Sequence, residues 1–131
     1  MKNRPLGLIE TMVFKELGPV PAKVDSGNGA YNVLHGVNIE MIDDQTVQFD
    51  TVNNKTIQKP VIELIDINVG SGNIEQRPVV EFNIQIGNKK FNNVKFSIGD
   101  RTDNEYKILV GKDFISLLGG VIDVDKVNNL S

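Results

Sequence analysis

The sequence predicts an all-β domain of short strands, and its composition carries that prediction. Its 131 residues include 16 Val and 14 Ile but only 2 Ala. β-Branched side chains pack well on pleated sheets, whereas alanine favours helices. The 15 Asn, 12 Gly and 5 Pro supply turn residues. With 40% hydrophobic and 24% charged residues, the composition is that of one globular domain, and we assign residues 1–131 to it.

The first half of the chain is predicted to form strands separated by turn clusters. Their apolar residues recur with a strand-like spacing over residues 6–14, 20–24, 33–39, 46–52 and 55–64. Ser26-Gly27-Asn28-Gly29 is a strong turn cluster. Asn53-Asn54 separates the last two strands, which predicts a hairpin.

The second half shows the clearest two-residue periodicity. Isoleucines 65 and 67 alternate with polar residues until Gly70-Ser71-Gly72-Asn73 interrupts the pattern. Two further strands, joined by a turn at Gly87-Asn88, place the following apolar residues on their inner faces: Val80, Phe82, Ile84 and Ile86, then Phe91, Val94, Phe96 and Ile98. One helix is expected over residues 112–118, ended by Gly119-Gly120, and a last strand follows at Val121, Ile122 and Val124.

Composition also excludes several classes of function. Cysteine is absent, which rules out disulfides, thiolate metal ligands and cysteine nucleophiles. His35 is the single histidine, so one chain cannot build a multi-histidine zinc site. The net charge of -3 argues against a nucleic-acid partner, and no apolar run is long enough to span a membrane. Without a recognisable signal peptide, we expect a cytoplasmic protein.

Two segments far apart in the chain carry the functional signal. In Ala22-Lys23-Val24-Asp25-Ser26-Gly27, an apolar strand leads a carboxylate into a tight turn. In Ile108-Leu109-Val110-Gly111-Lys112, an apolar run passes through glycine into the predicted helix. Asp-Ser-Gly alone is a common turn tripeptide. Together, the two segments resemble those of the retropepsin-like aspartic proteases.

The sequence is most similar to a bacterial and phage branch of that family, whose members are often labelled ATP-dependent zinc proteases. The branch's further motifs are matched, in order, by Leu34-His35-Gly36, Arg77-Pro78-Val79-Val80 and Asp100-Arg101. The sequence departs from its pattern in three places. Ser26 stands where Thr is usual, Lys112 stands where Arg is usual, and Asn28-Gly29-Ala30-Tyr31-Asn32 replaces Ala-Arg-Thr-Ser. The chain has no phosphate-binding loop and no metal-ligand spacing, so we expect neither a cofactor nor a metal.

The resemblance implies a closed retropepsin-like barrel with one short C-terminal helix, acting as a homodimeric aspartic endopeptidase. Such an enzyme needs two carboxylates that share a proton, and this chain holds one Asp-Ser-Gly. The second Asp25 is therefore expected from an identical subunit across a two-fold axis. By the same resemblance, Ser26 holds the two turns together and Gly27 lets the substrate backbone approach.

Substrate contacts are expected at two further places. By the resemblance, Gly70, Ser71 and Gly72 form a mobile lid over the substrate; the other reading is an ordinary hairpin loop. The guanidinium groups of Arg77 and Arg101 suit carboxylates of an acidic peptide, or salt bridges within the subunit. We expect a structural role for His35. The alternative to a peptidase is a catalytically inactive dimeric module of the same fold, with a structural or adaptor role.

Overall fold

A computed structural model describes residues 6–24, 31–117 and 122–127 of the chain. These residues form mostly β structure, with one short helix, α1 (Lys112–Leu117). The strands are β1 (Leu6–Phe14), β2 (Gly18–Val24), β3 (Asn32–His35), β4 (Val37–Met41), β5 (Thr46–Thr51), β6 (Lys55–Pro60), β7 (Glu63–Gly70), β8 (Asn73–Ile86), β9 (Lys89–Gly99), β10 (Ile108–Val110) and β11 (Ile122–Val127).

Eight strands form one sheet that closes on itself. Their order is β11-β1-β2-β10-β3-β9-β8-β7, and an additional pairing joins β1 to β8. This pairing closes a ring of six strands, while β11 and β7 lie outside the ring. The predicted all-β, retropepsin-like class is therefore confirmed. Strands β4, β5 and β6 form a second, antiparallel sheet.

The core lies inside the closed ring and is filled by the alternate side chains that the periodicity identified. The aromatic rings of Phe14, Phe82 and Phe96 lie 5.3 to 5.7 Å apart and pack edge-on or tilted. Such arrangements stabilise a core beyond the burial of their area. Val47 and Phe49 of β5 are also fully buried in this cluster, so the second sheet packs against the same core.

Two predicted strands are each divided in two. The strand expected over residues 33–39 is broken at Gly36, where an added Cβ would lie 2.2 Å from Cγ2 of Ile98. Any other residue at this position would have to displace the side chain of Ile98. The strand expected over residues 55–64 ends at Pro60. Val61 then donates its N–H to Gln45 and Ile62 to Val79, so the chain changes sheets at this point.

The turns predicted at Asn53-Asn54 and Gly87-Asn88 are confirmed, whereas the turn cluster predicted at residues 26–29 lies outside the described residues. Asn53 and Asn54 adopt φ of 59° and 56° between β5 and β6, a conformation that asparagine tolerates well. The turn before β9 has Gly87 at φ 58°. Helix α1 ends at Leu117, and the glycines expected to end it lie outside the described residues. Within the described ranges, no helix is long and apolar enough to cross a membrane.

Candidate active site

The predicted catalytic turn connects β2 to β3. Strand β2 ends at Val24 and the description resumes at Tyr31, so Asp25, Ser26 and Gly27 lie outside the described residues. The strands on either side are well defined. Strand β10 lies between them, parallel to β2 and antiparallel to β3. Val24, the residue before Asp25, is paired with Val110.

This three-strand region joins the two segments that carried the functional signal. Leu109 is paired with Lys23 on one side and with Val33 on the other. Val24 and Val110 are both buried, so side-chain packing as well as backbone pairing holds the two strands together. The backbone that leads into Asp25 is therefore constrained up to Val24.

A buried carboxamide, Asn32, connects this region to the helix and was missed by the sequence reasoning. Its Oδ1 accepts a hydrogen bond from the backbone N–H of Gly111 at 2.7 Å. Its Nδ2 donates to the backbone carbonyl of Lys95 at 3.1 Å. The N–H of Ile115 in turn donates to the carbonyl of Gly111, at the start of α1.

A second buried polar residue, Glu10, was also missed. It lies on β1 opposite Ala22 and is fully buried. A signal for it exists in the sequence, because Glu10 occupies the alternate position shared by Met12 and Phe14, whose side chains face the core. A carboxylate that faces the core is unusual, since Glu is almost never fully buried without partners.

The predicted lid residues form the tip of the β7–β8 hairpin. Ser71 and Gly72 make the turn, and Gly70 precedes it, with φ of 52°, 75° and 100° for Ser71, Gly72 and Gly70. No atom lies within 4 Å of a Cβ placed on either glycine, and nearby Ile74 is 68% exposed. The tip is therefore open to its surroundings. Its action as a lid stays a prediction.

Arg77, the other predicted substrate-binding residue, lies where this hairpin meets the barrel. Its Nε donates to the carboxylate of Glu75, and its guanidinium lies against Gly99 at the end of β9. A Cβ on Gly99 would come within 2.8 Å of Cζ of Arg77. Among the described residues, the carboxylate of Glu75 accepts from Nε, and the two terminal amino groups of a guanidinium carry four further N–H donors of the kind that suit a carboxylate.

The remaining motif residues gather beside Gly99. His35 is paired with Gly99 in the sheet, and its Nδ1 accepts a hydrogen bond from the backbone N–H of Arg101 at 2.9 Å. Nε of Arg101 donates to the carbonyl of Tyr106, so this side chain fastens the loop before β10. Burial lowers the pKa of His35 below its ordinary value of 6.5, and Lys107 lowers it further, against the opposing effect of Asp100.

Lys107 stabilises the loop between β9 and β10 by hydrogen bonds to its backbone. Its ammonium donates to the backbone carbonyls of Arg101, Thr102 and Asn104 at 2.8 to 2.9 Å. Three charge-assisted hydrogen bonds to one nitrogen use all its donors. The loop between β9 and β10 is thus held by its own cation and by His35.

The exit of the catalytic turn also contacts the base of the hairpin. The hydroxyl of Tyr31 donates a hydrogen bond to the carboxylate of Glu63, the first residue of β7. This hydrogen bond raises the pKa of Tyr31 above its ordinary value. A cavity of about 480 Å³ opens beside Tyr31 and Asn32, with Phe91 and Phe114 in its wall. It is large enough to take a peptide side chain.

Comparison with known proteins gives a match along nearly the whole chain. A sequence model of the RimB-like family, described as retropepsin-like aspartic endopeptidase RimB, matches residues 6–128. A protein of Desulfotalea psychrophila named probable alpha-L-glutamate ligase is 29% identical over 120 residues, which cover 82% of this chain and 25% of that protein. The chain thus corresponds to about a quarter of this relative's length.

A solved structure is similar over the full domain. It is a Legionella pneumophila protein of unknown function, with a TM-score of 0.78 and 24% sequence identity, covering 96% of this chain and 97% of that one. At that identity the likeness shows a shared fold.

Proposed function

This chain belongs to the RimB-like family of retropepsin-like aspartic endopeptidases, and on that premise we propose that it is a peptidase active as a homodimer. Asp25 of each subunit would supply one of two carboxylates sharing a proton. The ionised carboxylate takes a proton from a water molecule, and the protonated one donates to the oxygen of the scissile carbonyl. Ser26 would hold the turns of the two subunits together, and Gly27 would let the substrate backbone approach.

The observation that carries this proposal is the insertion of β10 between β2 and β3. Two strands about 85 residues apart in sequence are neighbours in the sheet: β2, which ends at Val24 just before Asp25-Ser26-Gly27, is paired through Val24–Val110 with β10, which ends just before Gly111. The family match spans both segments. The pairing of this apolar strand with the strand that leads into Asp25 supports the resemblance to aspartic proteases.

The substrate we propose is a peptide with acidic side chains. The relative named a glutamate ligase contains a region similar to this chain, which makes α-linked glutamate a natural first substrate to test. Arg77 suits that chemistry, because the free edge of a guanidinium matches a carboxylate. The glycine-rich tip at Gly70, Ser71 and Gly72 would cover the bound peptide and exclude water.

The test combines oligomeric state, cleavage and one isosteric substitution. Sedimentation should show a dimer for both the wild type and Asp25→Asn. The wild type should cleave an oligoglutamate peptide with an optimum at acidic pH, and Asp25→Asn should be slower by about 10²- to 10⁴-fold. An active-site-directed aspartic protease inhibitor should bind the wild type. An oligoglutamine peptide of equal length is the matched control for substrate charge.

Two outcomes would overturn the proposal. A monomeric wild type would leave each Asp25 without its partner. A dimer that cleaves no member of a broad peptide library, and whose behaviour Asp25→Asn does not change, would instead support the inactive dimeric module. Lys112 and the altered residues 28–32 are the departures that favour that alternative.

A further inference from the structure

Asn32 joins three separate segments through one buried side chain. The residue is 3% exposed, and its carboxamide contacts Gly111 through Oδ1 and Lys95 through Nδ2. The partners fix the orientation of the amide, because a flipped group would set N–H against N–H and carbonyl against carbonyl. Both polar ends are therefore satisfied in one orientation only, and the side chain acts as a rigid spacer.

The backbone of Asn32 is fixed as well. It is paired with Phe96 in the β3–β9 ladder, and the hydroxyl of Ser97 lies 3.4 Å from its carbonyl oxygen. Because the main chain is anchored on β9, movement of the carboxamide is restricted to small rotations. The hydrogen bond between Asn32 and Gly111 therefore fixes the position of Gly111 relative to β9, a long strand of the barrel.

Gly111 immediately follows the strand that lies beside the predicted catalytic turn. Val110 is paired with Val24, and Asp25 is the next residue in sequence. A displacement of Gly111 would shift β10 along or away from β2. In a homodimer that shift occurs in both subunits, so its effect on the separation of two carboxylates would be doubled.

We propose that Asn32 is a positioning residue for the Asp25 pair, holding β10 through Gly111 so that the two carboxylates stay close enough to share a proton. This inference rests on the proposed function. Two carboxylates that share a proton titrate with two well-separated apparent pKa values. If the carboxylates move apart, that separation narrows and the reaction slows, while contacts with the remote parts of the peptide are unchanged.

The experiment compares two substitutions with a matched control. Asn32→Leu removes both hydrogen bonds while keeping a side chain branched at Cγ, and Asn32→Asp keeps an acceptor for the Gly111 N–H while losing the donor to Lys95. Thr51→Val is the control. It removes a buried hydroxyl that donates at 2.6 Å to the carbonyl of His35, at the opposite end of β3. All proteins are assayed well below their unfolding temperatures, as dimers.

For Asn32→Leu we expect kcat to fall by about 10- to 100-fold, with KM within about 2-fold of wild type. Its pH profile should narrow as the two apparent pKa values approach each other. Asn32→Asp should lie between Asn32→Leu and the wild type. Thr51→Val should lower the unfolding temperature while its kcat and the width of its pH profile stay at wild-type values.

Two further measurements separate this inference from the proposed function. Hydrogen exchange at the Gly111 amide reports its hydrogen bond to Asn32. NMR titration of the Asp25 carboxyl carbon reports whether the two carboxyls share a proton, and it needs no substrate. Absence of cleavage by the wild type defeats the proposed function, and the titration then decides the role of Asn32. If Asn32→Leu exposes the Gly111 amide but leaves the Asp25 titration unchanged, Asn32 is merely structural and the inference is wrong.

Discussion

The region formed by β2, β10 and β3 and the β7–β8 hairpin differ in how deeply their strands are buried. In the first, the strands β2, β10 and β3 carry a buried face, and Asn32 links β3 to Gly111 through a hydrogen bond inside the core. In the second, long strands extend to a tip with positive φ angles, and Leu64 and Ile74 are 49% and 68% exposed. Dense burial fixes the geometry of the strands next to Asp25, where the proposed function needs two carboxylates to meet. Sparse burial permits local opening at the hairpin, which the proposed entry of a peptide needs.

The sharpest way to test this contrast is to make the same substitution in both regions. Leu34 of β3 is fully buried, so Leu34→Ala should lower the free energy of unfolding by about 2–5 kcal/mol. Leu64→Ala, on the hairpin, should cost less than about 1 kcal/mol because half of that side chain is already in water. Urea denaturation measures both. Equal costs for the two variants would remove the distinction between the regions.

Two glycines test the contrast through different physical causes. Gly36→Ala should cost about 1–3 kcal/mol, because the added methyl group meets Ile98 in a packed core. Gly72→Ala should cost about 1 kcal/mol, because the added carbon has space but the residue sits at φ 75°. Removing the contacting atom should relieve only the first: in an Ile98→Ala background, which lacks the Cγ2 methyl group that meets the added carbon, Gly36→Ala should cost less than in the wild type. Rescue of Gly72→Ala by the same change would contradict the assigned causes.

Arg77, on the hairpin, lies against Gly99 of the barrel, so a substitution at Gly99 changes the environment of the guanidinium. Gly99→Ala should push the guanidinium from its place, since the new carbon would lie within 3 Å of it. We expect KM for an acidic peptide to rise by about 10-fold, the loss of one charge-assisted hydrogen bond. KM for the amide-substituted peptide should stay unchanged, and Arg77→Gln should behave in the same way. A uniform rise for both peptides would argue against recognition of a carboxylate.

The smallest expected effect is a pH dependence at the loop that precedes β10. The pKa of His35 lies below its ordinary 6.5 because burial and Lys107 disfavour the protonated ring. The unfolded chain therefore binds this proton more readily, so the stability contributed by neutral His35 is complete above pH 6.5 and declines as pH falls towards the lower folded pKa.

His35→Asn offers an amide oxygen to the Arg101 N–H but does not titrate. We therefore expect its stability to decline less than that of the wild type between about pH 7.5 and pH 5.5 in urea denaturation. Asp100 does not interfere, because hydrogen bonds from Thr102 lower the pKa of its carboxyl below the ordinary 3.8. Parallel stability profiles for the two proteins would show that His35 contributes no such dependence.

Local patterns sufficed for much of this fold. Alternation of apolar residues located β8 and β9, and the asparagine and glycine turns located their ends, because both signals depend on neighbours in sequence. The breaks at Gly36 and after Pro60 were missed. Each depends on which distant strand the chain approaches, Ile98 in one case and a change of sheet in the other.

The residues of the candidate site also divide into those with a local sequence signal and those defined by distant partners. The Asp25 turn, the hairpin tip and Arg77 were identified as motifs, and their functional roles stay predictions. Asn32 could not be identified, since its partners Lys95 and Gly111 are 63 and 79 residues away and an asparagine after a turn cluster is unremarkable. Glu10 could have been noticed as the one carboxylate on the inward face of its strand.

The place of β10 in the sheet has a consequence for biosynthesis. Residues 108–110 separate β2 from β3, and residues 122–127 lie beside β1, so strands made early on the ribosome acquire these neighbours only after β4 to β9 have been made. Until then β2 and β3 each have an unpaired edge, which is prone to join other chains. Truncation before residue 108 should therefore yield aggregates rather than a smaller folded product.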